Sequence, residues 1–436
     1  MKDKATIIIL KYIGYFKKYK LPTEAIPFWI ASVITGLVAV VYEFLFSFFE
    51  SLGIKLFNSY PFSVFLVSPL FFSFAWYITQ TQAPNARGSG IPQLMVAIDL
   101  SNSRKSSRIK YLLNFKIIIV KIASSLLLLI GGGVTGREGP TLQIAGSIYK
   151  IIYDWSKPYV SNLNQRVMLI TGGASGLAAA FNTPLGGIVY VIEELTRSHI
   201  THFRTAIFTS VIIAGMTAQF FLGSYLYLGS PKVTSIPLSS IGTIIVVSII
   251  CGFGGAIFSL LLCKIIALKK HLKSLWMSFL VVFSTGLLFA LLVYITGVNS
   301  MGSGKPVINN ILFKGVGSVP WFTFVGRFFG SIFTFSTGSG AGIFAPALSS
   351  GAALGALIAE LFNIPIEYHT IIVMCGMIGF LTGVTHSPFT SAILVLEMTD
   401  RHSAIFYFLL AGLVANLIAK SINKNSFYEL QKKNFI

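Results

Sequence analysis

Charge is scarce in this sequence, and acidic charge scarcer still. Among 436 residues only 14 are Asp or Glu, and charged residues make up 11% of the chain. Soluble domains carry about 25% charge, so a soluble globular class is excluded. Cysteine is nearly absent: Cys251, Cys263 and Cys375 all lie in apolar runs, with no C-x-x-C spacing. That excludes a disulfide framework and a thiolate metal site, and leaves the three as core residues. No H-E-x-x-H, no G-x-S-x-G and no aspartate pair inside an apolar run is present. The commonest signatures of a membrane-embedded enzyme are therefore missing. His199 and His202, in SHITHF, are the only pair that could suggest a metal, and a solvated loop is the preferred reading. No metal and no cofactor are expected.

What the chain has instead is apolar length. It is 54% hydrophobic with a mean hydropathy of +0.78. Runs of spanning length occupy 27–49, 62–79, 113–131, 205–222, 241–267, 277–298 and 405–419. A helical span needs about 20 residues, so an all-α polytopic membrane protein is expected. The short alternating segments of a transmembrane barrel do not occur. Lys and Arg total 33, for a net charge of +19. These cations cluster between the apolar runs, which the positive-inside rule reads as cytoplasmic. Both termini are then cytoplasmic, in the inner (cytoplasmic) membrane, and nucleic acid is not a partner. The basic start has only a short apolar run, IIIL, and no small-residue cleavage site. Residues 1–22 are thus expected to form a cytoplasmic amphipathic segment and not a signal peptide.

Three pairs of segments recur in the same order, at an offset of just over 200 positions. GSGIP (88–92) pairs with GSGKP (302–306), GREGP (136–140) with GIFAP (342–346), and NTPLGGIVYVIEELT (182–196) with HSPFTSAILVLEMTD (386–400). An internal duplication follows, with halves at 23–228 and 229–436 joined near 229–237. Apolar segments broken by Gly and Pro in corresponding positions point to a transport site near the midplane. The stretches 90–100, 139–152, 183–195, 342–361 and 387–398 each start at or beside Gly or Pro and are expected to be too short to span. Proline near the first helical position marks a helix start. Such starts inside a membrane expose N–H groups that must line a cavity or meet a ligand.

A helix N-terminus carries about half a positive charge and unpaired N–H donors. Several aimed at one point form an anion site without a bare cation, which would hold a transported anion too tightly. Glycines at 131–133, 136, 139, 338, 340 and 342, among them Gly136, Gly139 and Gly342, let backbone approach closely there, and Ser89, between Gly88 and Gly90, can add a hydroxyl. The alternative is that these glycines serve only close helix packing, which explains one of them well and all three motifs together poorly. Buried ionisable residues in a membrane are functional candidates by default. Glu138 sits at a helix start, where a carboxylate is favoured and can take the place of an anion. Glu193 and Glu194 sit at a helix end, where a carboxylate is disfavoured and some other cause must keep it. For Glu193 the preferred cause is an ion pair with Arg197 or a neighbour.

GSGIP, GREGP and GIFAP, in this order and spacing, resemble the signature motifs of the CLC family of chloride channels and proton-coupled chloride transporters. The resemblance covers nearly the whole chain. It implies two inverted-topology halves with half-helices meeting at the midplane, and a homodimer with one pore per protomer. It implies chloride binding by Ser89, by the backbone of Ile343 and Phe344, and by Tyr428 of SFYELQ. It implies Glu138 as the gate, flanked by Arg137, and Glu194 as an internal proton-relay residue. Lys121 matches a buried lysine of some members, for which a structural role is preferred. Departures are Gln93 and Met95 after GSGIP and Ala341 before GIFAP. No nucleotide-binding-type regulatory domain is expected after Tyr428. The expected function is chloride/proton antiport in a lipid bilayer, because many family channels lack an acidic residue at the place of Glu194. A passive chloride channel is the alternative. A fluoride- or nitrate-selective relative is less favoured, since Ser89 goes with chloride.

Overall fold

The computed structural model describes residues 24–160, 162–196, 204–223, 226–233, 240–272 and 274–435. The expected helix over 1–22, the SHITHF histidines, Arg197 and most of the join after Lys232 lie outside the described residues. The rest is helical. Helices α1 (Ile26–Ser59), α2 (Val64–Gln82), α3 (Ile91–Leu100), α4 (Phe115–Ile130), α5 (Glu138–Ser156), α6 (Gln165–Phe181), α7 (Pro184–Tyr190) and α8 (Arg204–Leu222) come first. They are followed by α9 (Ile241–Lys269), α10 (Leu275–Thr296), α11 (Lys305–Lys314), α12 (Phe322–Ser336), α13 (Phe344–Leu361), α14 (His369–Thr385), α15 (Pro388–Thr399), α16 (Ile405–Ile422) and α17 (Phe427–Lys432). After α7 the backbone widens into a π-helical stretch, Val191–Thr196.

Among the described residues nine helical segments are long and apolar enough to cross a membrane. The chain is an all-α polytopic membrane protein. Two of the nine, Phe344–Leu361 and Ile366–Thr385, depart from the expectation. The first has 18 residues where a segment too short to span was expected, and the second was not expected as a span. Likewise α5 runs for 19 residues, beyond the expected 139–152. Their small residues lower the hydropathy that marks a span, and they serve burial among other helices. A Cβ added to Gly351 would come within 2.5 Å of the Gly376 carbonyl oxygen, so α13 and α14 touch backbone to backbone. Small residues make such close packing possible in membranes.

The elements also match across the sequence. Gly90 and Gly304 both adopt left-handed φ, 97° and 86°, and each is followed by a proline-started helix, α3 and α11. Asn182 and His386 both end a long helix with positive φ, 57° and 58°, and each precedes a Pro-started helix, α7 and α15. Proline near the first turn gives up an N–H that has no intrahelical partner anyway.

Candidate functional site

The three glycine motifs meet inside the protein. Gly88 donates its amide to the Ser339 carbonyl at 2.8 Å, and Ala341 donates to the Gly88 carbonyl at 3.1 Å. Gly136 and Gly342 exchange both backbone bonds at 3.1 Å. The starts of α3, α5 and α13 are thereby tied together, though their sequences are some 50 to 250 positions apart. A Cβ on Gly342 would strike Gly136 backbone, so glycine is needed at this crossing.

Around this crossing the loop 85–90 is held by buried donors. The Lys121 ammonium donates to the carbonyls of Ala86 at 2.6 Å and Gly88 at 2.8 Å. The Gln93 amide donates to Asn85 and Arg87, and Gln143 donates to Asn85 and Leu112. Arg327 treats the second glycine loop alike, donating to Met301 at 2.6 Å and Gly302 at 3.1 Å. Arg137 pairs with Glu43 at 2.6 Å, both largely buried. Lys121 and Arg327 are thus engaged with carbonyls and Arg137 with a carboxylate.

Ser89 is buried between its two glycines, against Gly139. The Tyr428 hydroxyl faces it within interaction range, yet neither oxygen makes a well-formed hydrogen bond among the described residues. Tyr428 is the second residue of α17. The Ser426 hydroxyl and the Glu429 carboxylate cap that helix reciprocally and fix where the tyrosine points. The Tyr428 ring stacks on Phe344, centroids 6.2 Å apart and planes 18° from parallel. Phe181 and Tyr190 also pack on Phe344, at 6.2 and 6.1 Å. Ile343 caps α13 and Phe344 is its first residue, both 1% exposed. Ser89, Tyr428 and the start of α13 are therefore immediate neighbours.

Glu138 opens α5 and is 1% exposed. Its carboxylate folds over Gly136 and faces its own amide and that of Ala345, inside the first turn of α13. Tyr227 donates its hydroxyl to Glu138 Oε1 at 3.4 Å. A carboxylate facing two helix starts sits where their partial charges favour an anion.

Glu194 lies on the π-helical stretch and accepts from the Ser387 hydroxyl at 3.0 Å. It borders a cavity of about 450 Å³ with His386, Asn416, Lys420 and Lys424. Ser89 borders a different cavity, about 350 Å³, with Arg87, Lys269 and Lys270. Glu193 is used differently, accepting from the amides of Phe389 and Thr390 at the start of α15. That explains a carboxylate at the end of its own stretch, since it meets the positive end of another helix. Glu397 does the converse, accepting from Leu185 at 3.1 Å and Gly186 at 2.7 Å at the start of α7.

Sequence reasoning did not single out Glu43, Tyr190, Tyr227, Lys305, Arg327 or Glu397 as contributors. Glu43 and Arg327 carry a usable signal, an ionisable residue deep in an apolar run.

A protein-family model described as "Voltage gated chloride channel" matches residues 64–420. Similar solved structures include a slow cyanobacterial Cl⁻/H⁺ antiporter, TM-score 0.81 at 23% identity, covering 95% of this chain and 98% of that one. A CLC-type fluoride/proton antiporter gives 0.79 at 20%, covering 95% and 98%. A eukaryotic CLC transporter gives 0.76 at 18%, covering 94% of this chain and 73% of that one. At these identities the likeness is one of fold.

Proposed function

The chain belongs to the voltage gated chloride channel family, and from that premise we propose that it exchanges chloride for protons across a membrane. Members of the family transport ions and are not catalytic enzymes. The anion would be held by the Ser89 and Tyr428 hydroxyls and by the backbone N–H groups at Ile343 and Phe344. Glu138 is the gate. Its carboxylate faces the same helix starts that would attract chloride, so carboxylate and anion compete for one place. A proton that neutralises Glu138 removes its reason to stay, and chloride enters. Each turnover thus links one event at the anion site to one at the carboxylate.

The observation that carries exchange over passive conduction is Glu194. It is buried, acidic, and beside a cavity distinct from the one at Ser89. Protons and chloride then have separate internal routes that converge on Glu138. A passive chloride channel shares the anion site but has no use for the second route. Proteoliposomes given a proton gradient and no chloride gradient decide the matter. Exchange accumulates chloride against its gradient, and a channel does not.

The matched features suggest two inverted halves, 23–228 and 229–436, preceded by the segment 1–22. In support, Glu193 and Glu397 each cap a helix of the other half, and Lys121 and Arg327 each hold their own half's glycine loop. A homodimer in the inner membrane with cytoplasmic termini completes the reading. The clustering of Lys and Arg between the apolar runs supports the cytoplasmic termini.

A further inference from the structure

Tyr227 is nearly buried in a short segment after α8 that the transport reading above leaves without a role. The segment is anchored: Leu228 is fully buried and donates its amide to the Met398 carbonyl at 3.0 Å. The Tyr227 ring is pinned on two sides. Phe181 meets it edge to face at 5.2 Å, and the Lys305 ammonium sits 4.4 Å from its centroid. An ammonium over an aromatic face is held by the ring's quadrupole. So fixed, the ring presents its hydroxyl to Glu138 Oε1 at 3.4 Å.

We infer that Tyr227 is a positioning residue for the gate, a latch that holds the Glu138 carboxylate in the place chloride would take. The inference rests on the reading of Glu138 as the gate and names a residue that sets how firmly the gate is seated. A hydroxyl donates more strongly to a carboxylate than to a neutral acid. The latch therefore favours the charged, seated gate, and it loosens when the carboxylate is protonated or swings away. At 3.4 Å the bond is longer than a fully formed O–H···O bond, which suits a contact that must release in every cycle. Phe181 packs on both Tyr227 and Phe344, so one ring supports the latch and the anion site together. Lys305 belongs to GSGKP, the second copy of the first glycine motif, which gives that repeat a role of its own at the gate.

The test is chloride binding by calorimetry on the purified full-length protein and four variants. Tyr227→Phe keeps the ring, the Phe181 contact and the cation contact, and removes only the hydroxyl. With the gate less firmly seated, chloride should bind roughly fivefold tighter. A purely packing role predicts the opposite pattern, with Tyr227→Phe silent and Tyr227→Leu disruptive. On a Glu138→Gln background the hydroxyl has no carboxylate to hold, so adding Tyr227→Phe should change chloride affinity by less than about 1.5-fold. Unchanged affinity in Tyr227→Phe, or an equal gain with and without the Glu138 carboxylate, overturns the latch. Failure of the gate reading is seen separately: Glu138→Gln alone would then leave proton coupling intact.

Discussion

The Glu193 carboxylate holds Thr390 by two bonds, from its amide at 2.7 Å and its hydroxyl at 2.6 Å. Glu397 does the same for the start of α7 through Leu185 and Gly186. Each carboxylate neutralises a helix start about 200 residues away in sequence. Glu193 and Glu194 are adjacent and border the same cavity, yet Glu193 clasps a helix start while Glu194 accepts from the Ser387 hydroxyl. Glu193→Gln should therefore lower stability, by about 1–2 kcal/mol, and leave coupling intact. Thermal unfolding in detergent reads the first effect and proteoliposome flux the second.

Glu194→Gln should give the converse. It keeps the Ser387 contact sterically and removes the titrating group. Proton movement should fall by at least about tenfold, while chloride affinity stays within about twofold of wild type. Loss of chloride binding in this variant would place Glu194 in the anion site instead.

Lys121 tests the loop. Replacing it with Met keeps the apolar stem, strands the Ala86 carbonyl in a buried setting and leaves the Gly88 carbonyl with the Ala341 amide alone. Each lost partner costs about 1–3 kcal/mol, so Lys121→Met should unfold at distinctly lower temperature in a thermal melt. If Lys121 bound chloride directly, affinity would fall without that loss of stability.

Gly139→Ala should act on the anion site by volume. The new methyl would press on Ser89, lying 3.1 Å from its carbonyl oxygen and 3.3 Å from its Cβ. Overpacking of this kind costs about 1–3 kcal/mol, enough to weaken chloride binding roughly tenfold. Calorimetric titration with chloride reads it, and an unchanged affinity would show that Ser89 can move aside.

Glycine and proline made the helix starts legible, because they act locally: GSGIP and the two proline-led helices, α7 and α15, need no distant partner to be recognised. Hydropathy found the long lipid-facing helices for the same reason. It did not find α6 and gave no span at 366–385. Both are buried among other helices; α6 is rich in Gly and Ala, and 366–385 is interrupted by Gly and Thr. Contacts between remote segments were not legible. Nothing in VIEEL says that Glu193 meets Thr390, and nothing in SYLYLG says that Tyr227 reaches Glu138. Those depend on the fold bringing segments together. Arg327 could have been found, since a guanidinium in FTFVGRFFGSIF must have a buried partner.

The central claim is that the Glu138 carboxylate and chloride compete for one place, and that a proton decides between them. Simultaneous recording of chloride and proton movement in proteoliposomes tests it most directly, with wild type beside Glu138→Gln. Wild type should move protons whenever a chloride gradient is imposed. Glu138→Gln, which carries no titratable carboxyl at the gate, should still pass chloride and move no protons. Proton movement that persists in Glu138→Gln, at the wild-type ratio to chloride, would contradict the account.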